Sequence, residues 1–323
     1  MITDQDAGAS RATQTLDQPF DADLAAISLP RPEQSVLAVA PPGTGAGNWV
    51  GAPSAIRRGD EIFLAYRLRR PIGAGRGYAI TIARSADGVH FDPVLTITKE
   101  QMDAESLERP VLVDLPDGRW RLYLSCATHG TKHWRVEVLE AGDPGSFDPA
   151  TRRTVLPGDA TRAVKDPVIM YRDGSWHLWA SVHPLVGPPD QADQMVTEYA
   201  TSPDGLDWTW HGVALDRRSG EWDARGVRIS SVWFTPGGVF AYYDGRATAQ
   251  ENYEERTGLA RGAGPSALSA VGREPVAQSA EGAGGLRYVS IVDLGDGRER
   301  LYYELTRADG SHELRTELRT GLR

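Results

Sequence analysis

Three prolines, Pro53, Pro110 and Pro167, stand 57 residues apart, and each opens a copy of one local pattern. The fullest copy begins Lys165-Asp166-Pro167 and continues through the apolar run Val168-Ile169-Met170 to an Asp173-Gly174 pair. Trp176, Leu178 and Ala180 then alternate with polar neighbours. Alternation at period two marks a half-buried strand, and Asp-Gly supplies the positive φ that a tight hairpin turn needs. Glu108-Arg109-Pro110 leads in the same way through Asp117-Gly118 to residues 120–125, and Ala52-Pro53 leads through Gly59 to residues 62–66. Two further copies drop the proline but keep the hairpin, from 226–232 to 240–244 and from 286–292 to 301–304. A hairpin cannot bury its own apolar face, so units repeating about every sixty residues must pack on one another. The expectation is an all-β chain, a five-bladed β-propeller of four-stranded antiparallel blades.

The repeats leave no stretch for a second domain. Residues 35–323 form the single propeller domain in this reading, and residues 1–34, polar and without apolar periodicity, form a loosely ordered N-terminal arm. The last repeat shows three clear strands, at 286–294, 299–305 and 311–319, so a strand at 35–40 is expected to complete its sheet and lock the circle. Two Ser-x-Asp-Gly segments, at 85–91 and 202–208, lie 117 residues apart and take turn and packing roles. A net charge of −9 argues against general nucleic-acid binding, which calls for a basic surface. One cysteine, Cys126, rules out an internal disulfide and reads as a packed residue. The N-terminus lacks a basic stretch followed by an apolar one, and no run approaches a membrane span, so a cytoplasmic location without membrane association is expected.

Each repeat runs out to a turn and back, so the start of its first strand and the end of its second share one face. The starts bring Trp49, Glu108, Arg109, Lys165, Asp166, Asp223, Arg225, Arg228, Arg287 and Tyr288 there. The ends, seven residues past the turn glycine, bring Tyr66, Ser125, Ser181, Asp244 and Glu304. The opposite face receives Asp-Gly and Gly-Gly turns. Paired carboxylates beside a cavity are what glycoside hydrolysis needs, one as acid and one as base or nucleophile. Glu108 and Asp166 are read as equivalent positions in adjacent repeats and as the main catalytic pair, with Asp223 as a third catalytic acid. The substrate-binding set is Trp49, Tyr66, Arg109, His129, His133, Lys165, Arg228, Asp244, Arg287, Tyr288 and Glu304, with aromatics to stack on sugar rings. Each of these acids also has an arginine within reach, and ion-pair networks perturb carboxylates without catalysing anything. His129 and His133 lie in a loop without a third ligand, which speaks against a metal site and for substrate contact. Residues 73–77 are glycine-rich but lack the strand-to-helix setting of a dinucleotide site. No cofactor is indicated.

The repeat, together with Lys165-Asp166-Pro167, Ser202-Pro203-Asp204-Gly205-Leu206-Asp207-Trp208 and Tyr242-Tyr243-Asp244-Gly245, resembles the five-bladed propeller glycosidases over nearly the whole chain from residue 35. These are the arabinanase- and xylosidase-like family 43, the invertase- and levansucrase-like families, and the mannoside phosphorylase family 130. In the hydrolases an Asp opening the first blade is base or nucleophile, a second Asp positions or tunes, and a Glu is the acid. Asp166 matches the second of these. The first-blade position reads Gly51-Ala52-Pro53, without a carboxylate, and no Glu of the fourth repeat lines up; Asp223 is the nearest group. The resemblance implies a glycoside hydrolase-like enzyme cleaving a small oligosaccharide or glycoside by carboxylate acid/base chemistry. One alternative is an inorganic-phosphate-dependent phosphorylase, in which phosphate replaces the missing carboxylate and meets rim arginines and Lys132. Another is a non-catalytic propeller that binds carbohydrate or protein. A sialidase-like clamp of Arg109, Arg228 and Arg287 beside Tyr288 is a weaker match, because those enzymes resemble six-bladed propellers.

Overall fold

The computed structural model describes residues 27–188, 191 and 193–320. Three antiparallel sheets each take four consecutive strands. They are β6 (Leu107–Asp114), β7 (Trp120–Ala127), β8 (Trp134–Ala141) and β9 (Arg153–Leu156); β10 (Arg162–Arg172), β11 (Ser175–Pro184), β12 (Val196–Ser202) and β13 (Thr209–Leu215); and β14 (Gly226–Thr235), β15 (Gly238–Arg246), β16 (Arg256–Gly264) and β17 (Ala267–Val271). The remaining eight strands share one sheet. One part is β2 (Trp49–Arg58), β3 (Glu61–Arg69), β4 (Gly77–Ser85) and β5 (Asp92–Thr98), and the other is β18 (Leu286–Gly295), β19 (Arg298–Thr306) and β20 (His312–Thr320), edged by β1 (Val36–Val39). A single parallel pairing, Trp49 with His312, joins the two parts.

The strand read at 35–40 is β1, and it pairs antiparallel with β20, placing Val36 opposite Thr316. The start of the chain thereby completes the sheet at its end. Of the arm read at 1–34, residues 1–26 lie outside the described residues. Ile27 and Leu29 pack against the Phe240 and Tyr242 cluster, and Tyr242 donates to the Ser28 carbonyl at 2.6 Å.

The first strands of the repeats touch in sequence, β2 to β6 to β10 to β14 to β18, and β18 returns to β2. Apolar clusters straddle successive sheets in the same order. Val111, Tyr123 and Val138 meet Ile169, Trp176 and Leu178, for example, and Trp179 and Tyr199 meet Val227, Ile229 and Tyr243. Alternation therefore feeds both faces of each sheet, as stacked sheets require. Cys126 is buried in one such layer, and burial pushes its thiol up to about 12.

Every first strand breaks register near its start, between Gly51 and Ser54, Leu107 and Pro110, Lys165 and Val168, Ile229 and Ser231, and Arg287 and Ser290. The three spaced prolines fall at these bulges, where a missing N–H costs the ladder nothing. Ala52, Asp166 and Tyr288 take positive φ there, at 50°, 52° and 58°. The bulges aim side chains and free N–H groups inward. Carboxylates from neighbouring repeats accept them: Ala52 donates to Glu304 at 3.1 Å, Tyr288 to Asp244 at 2.9 Å, and Arg109 to Asp166 at 3.2 Å.

Candidate functional site

Register confirms that strand starts and strand ends meet on one face: Lys165 lies opposite Ser181, Arg228 opposite Asp244, and Arg287 opposite Glu304. A cavity of about 540 Å³ opens there, and its wall includes Glu108, Trp134, Lys165, Arg225, Arg246 and Tyr253. A narrow extension of about 30 Å³ continues inward to Arg67, Arg228, Glu255, Arg287 and Tyr288. This is the size of a small-ligand site with charged groups converging at its deep end.

The floor is a chain of buried ion pairs. Arg69 bonds Glu108 at 3.1 Å, and Arg67 bridges Glu108 and Glu304, the latter at 2.9 Å. Arg287 continues to Glu304 and Glu255, each at 2.7 Å, and Arg246 closes on Glu255 at 2.7 Å. Arg228 holds Asp244 at 2.8 Å and Asp166 at 3.4 Å, with its guanidinium 3.8 Å from the centre of the Tyr288 ring. Burial works to raise the carboxyls of Glu108, Asp166, Glu255 and Glu304, but the facing cations outweigh it and hold all four below their ordinary values. Asp244 goes the other way; burial raises it despite Arg228. At neutral pH Glu108 is therefore an ionised carboxylate, suited to accept a proton or steady positive charge and unsuited to donate.

Of the residues singled out in the sequence, Glu108 and Lys165 reach the main cavity, while Arg228, Arg287 and Tyr288 line its inner extension. Asp166, Asp244 and Glu304 stand behind that wall, each with no exposed surface. Asp166 is held there by Lys165 at 3.5 Å and by the Tyr288 hydroxyl at 3.3 Å. Trp49 stacks on His312 at 4.4 Å and under Arg69 at 4.6 Å, so it supports the floor. Arg109 turns toward the other end of the cycle and donates to the Ser230 carbonyl at 2.5 Å. Four residues lie apart. Asp223 is buried against Arg218 and the Tyr243 hydroxyl, at 2.9 and 2.8 Å. Tyr66 is packed with Val50 and Leu64. His129 lies on a separate groove beside Asp103, 3.5 Å away, and His133 lines neither described cavity at the mouth.

Glu108 and Asp166 are not equivalent positions. The proline spacing aligns Glu108 with Lys165 and Arg109 with Asp166, and the strand register agrees, pairing Leu107 with Cys126 and Val164 with Val182. At the bulge a one-residue step reverses which side of the strand a side chain occupies. Glu108 thus faces the cavity and Asp166 the central floor. The empty first-blade position also has a steric cause: a Cβ on Gly51 would lie 2.0 Å from a Glu304 carboxylate oxygen. Glu304 fills the space in which an opening acid would sit.

The sequence reading passed over Arg67, Arg69, Arg246, Glu255 and Tyr253, and gave no role to His183. Arg67 directly follows Tyr66, so alternation turns it to the side that Tyr66 does not face. Glu255, Tyr253 and Arg246 all belong to the long 244–256 connection, whose length was the available signal. His183 lines both parts of the cavity; burial, then Lys165 and Arg246, hold its imidazole well below its ordinary value and hence neutral. Among the described residues no group of three His, Cys, Asp or Glu side chains is placed to hold a metal, and no helix is long and apolar enough to cross a membrane.

No protein-family model and no curated protein sequence matches the chain. Solved structures do. A glycosyl hydrolase from Bacteroides ovatus superposes with a TM-score of 0.60 at 16% identity, over 89% of each chain. A β-1,2-mannobiose phosphorylase from Listeria innocua, solved with β-1,2-mannobiose, gives 0.61 at 16% identity, over 90% of this chain and 95% of that one. A thermostable family 43 glycoside hydrolase gives 0.64 at 13% identity, over 87% and 91%. At these identities the likeness is one of fold, and it is the fold of the glycosidase-like group that the sequence resembles.

Proposed function

We propose that the chain is a five-bladed β-propeller enzyme that cleaves a glycosidic bond of a small carbohydrate in the mouth cavity. The observation that carries this reading is Glu108, an ionised carboxylate on the wall of a ligand-sized cavity, fixed from behind by Arg67 and Arg69. Held rigidly by two guanidiniums, it can accept a proton from an attacking water or steady positive charge at the anomeric carbon. Asp166 acts one layer back, orienting Lys165, Arg228 and Tyr288. The substrate reading draws on the carbohydrate-processing enzymes that share the fold.

A second reading, phosphorolysis, rests on the charge of the same wall. Among the described residues, Arg76, Lys132, Lys165, Arg225 and Arg246 line the cavity beside Glu108 and Asp193, with Asp166 and Glu255 behind Lys165 and Arg246. That cation excess, in a chain of net charge −9, suits an incoming phosphate in place of a second carboxylate. Release of sugar from a panel of aryl-glycosides and short oligosaccharides, followed with and without inorganic phosphate, separates the two. Release independent of phosphate supports hydrolysis, and release only with phosphate supports phosphorolysis. Binding without release, in either condition, would turn the reading toward a non-catalytic propeller.

A further inference from the structure

With Glu108 held ionised, the cavity still needs a group that carries a proton at neutral pH to meet the departing oxygen. We propose that Tyr253 is this proton donor, its phenol presented to the cavity by the 247–255 segment; the proposal rests on the glycosidic-cleavage reading above.

Three independent features converge on Tyr253. It lines both the main cavity and the inner extension, with Glu108 and Lys165 on the same two walls. Its backbone φ is 79°, a left-handed value that bulky residues avoid and that persists where the surroundings impose it. Those surroundings are well defined. The Glu251 carboxylate accepts from Ala247 and Thr248 N–H at 2.5 and 3.2 Å, Glu254 N–H bonds the Glu251 carbonyl at 2.9 Å, and Thr306 and His312 hold the Glu254 carboxylate at 2.6 and 3.0 Å. The ring itself is gripped, 4.5 Å from the Arg69 guanidinium and 5.1 Å from the Trp49 ring centre. Packing alone requires only the ring, and a phenylalanine would serve it.

The electrostatics fit a donor. Burial pushes the phenol up, but the Arg69 guanidinium against its ring outweighs burial and brings it below the ordinary tyrosine value. Arg69 faces it from β3, Glu108 from β6, Lys165 from β10 and His183 from β11. On its own segment, Glu254 turns to His312, and Glu255 turns to Arg246 and Arg287. One cavity thus holds a carboxylate kept ionised beside a phenol brought below its ordinary value, which sets base and acid apart by environment.

In the step, the glycosidic C–O bond breaks with its electron pair passing to the departing oxygen, which takes the phenol proton and leaves as an alcohol. In hydrolysis, water bonds to the anomeric carbon and gives a proton to Glu108; that proton returns through solvent to the phenolate. In phosphorolysis a phosphate oxygen makes the bond, and the proton that phosphate gives up restores the phenol.

The test compares wild type and Tyr253→Phe on aryl-glycosides graded in leaving-group acidity, with tyrosinate absorbance of both proteins titrated against pH. The expected result is a loss of about 10²- to 10⁴-fold in kcat/KM for poor leaving groups, shrinking toward none for dinitrophenyl leaving groups that need no proton. The basic limb of the wild-type pH profile should vanish in the variant, and the variant should lack one tyrosine that titrates below the ordinary value. Unchanged kinetics, or an equal loss across the whole series, would overturn the donor role while leaving the cleavage reading intact. Wild-type protein inert on every glycoside, with or without phosphate, would overturn both.

Discussion

Replacing Glu304 by Gln should loosen the contact between the last repeat and the first. Glu304 has no exposed surface, and its carboxylate accepts from the Ala52 N–H at 3.1 Å, from Arg67 at 2.9 Å and twice from Arg287 at 3.0 and 2.7 Å, with His312 at 2.7 Å. Breaking a buried ion pair costs about 3–5 kcal/mol when a partner charge is left alone. Here Arg67 keeps Glu108, and Arg287 keeps Glu255, so the lower end applies, about 3 kcal/mol. Unfolding entropy of about 2.1 cal/mol/K per residue, over roughly 290 described residues, makes this a fall of about 5 °C in Tm. Urea and thermal unfolding of Glu304→Gln should show it, beside Asp60→Asn as a control at an exposed pair 4.0 Å long, where less than about 0.5 kcal/mol is expected. A Glu304→Gln midpoint within 1 °C of wild type would refute the role assigned to this carboxylate, since about 0.6 kcal/mol is far below any buried pair.

The pH dependence of stability follows from the same groups. Glu108, Asp166, Glu255 and Glu304 have folded values below their unfolded ones near 4, so their contribution is full above that value and is lost as pH falls through the folded values. Asp244, raised by burial, has the opposite sign and is outnumbered. His183, held neutral in the fold, adds a loss of the same sign as the four carboxylates, beginning as pH falls through the unfolded imidazole value of about 6.5. Tm should therefore decline gently from about pH 7 to 5 and drop more steeply below about pH 4; a Tm that rose on acidification to pH 3 would contradict the pairing. Asp223→Asn should cost about 1–3 kcal/mol in urea unfolding through its bonds to Arg218 and Tyr243, and leave kcat/KM within about twofold. A kinetic loss larger than tenfold in that variant would return Asp223 to the site.

Much of the architecture was legible because period-two alternation and turn glycines are local signals. The three prolines marked where the first strands open, which the register shows to be bulges, and residues 35–40 fell into place as the partner of β20. The site was legible only to the level of which face it occupies. Glu108 and Asp166 look equivalent when each is read as an acid before a proline, yet one step along a bulged strand sends them to different sides. Which acids touch the cavity and which brace it depends on cross-repeat contacts. Glu304 meeting Ala52 and Gly51 is a contact over some 250 residues that no local pattern announces. Tyr253 and Glu255 sit in a connection without periodicity, whose form is set by Glu251 and Glu254 holding backbone and neighbouring strands.

The most direct measurement is kcat/KM of Glu108→Gln on whichever glycoside wild type cleaves, with Tm recorded alongside. A proton-accepting carboxylate at the reacting centre predicts a loss of about 10²- to 10⁴-fold in a variant that remains folded. A folded Glu108→Gln protein within tenfold of wild type would contradict the placement of the chemistry at this cavity wall.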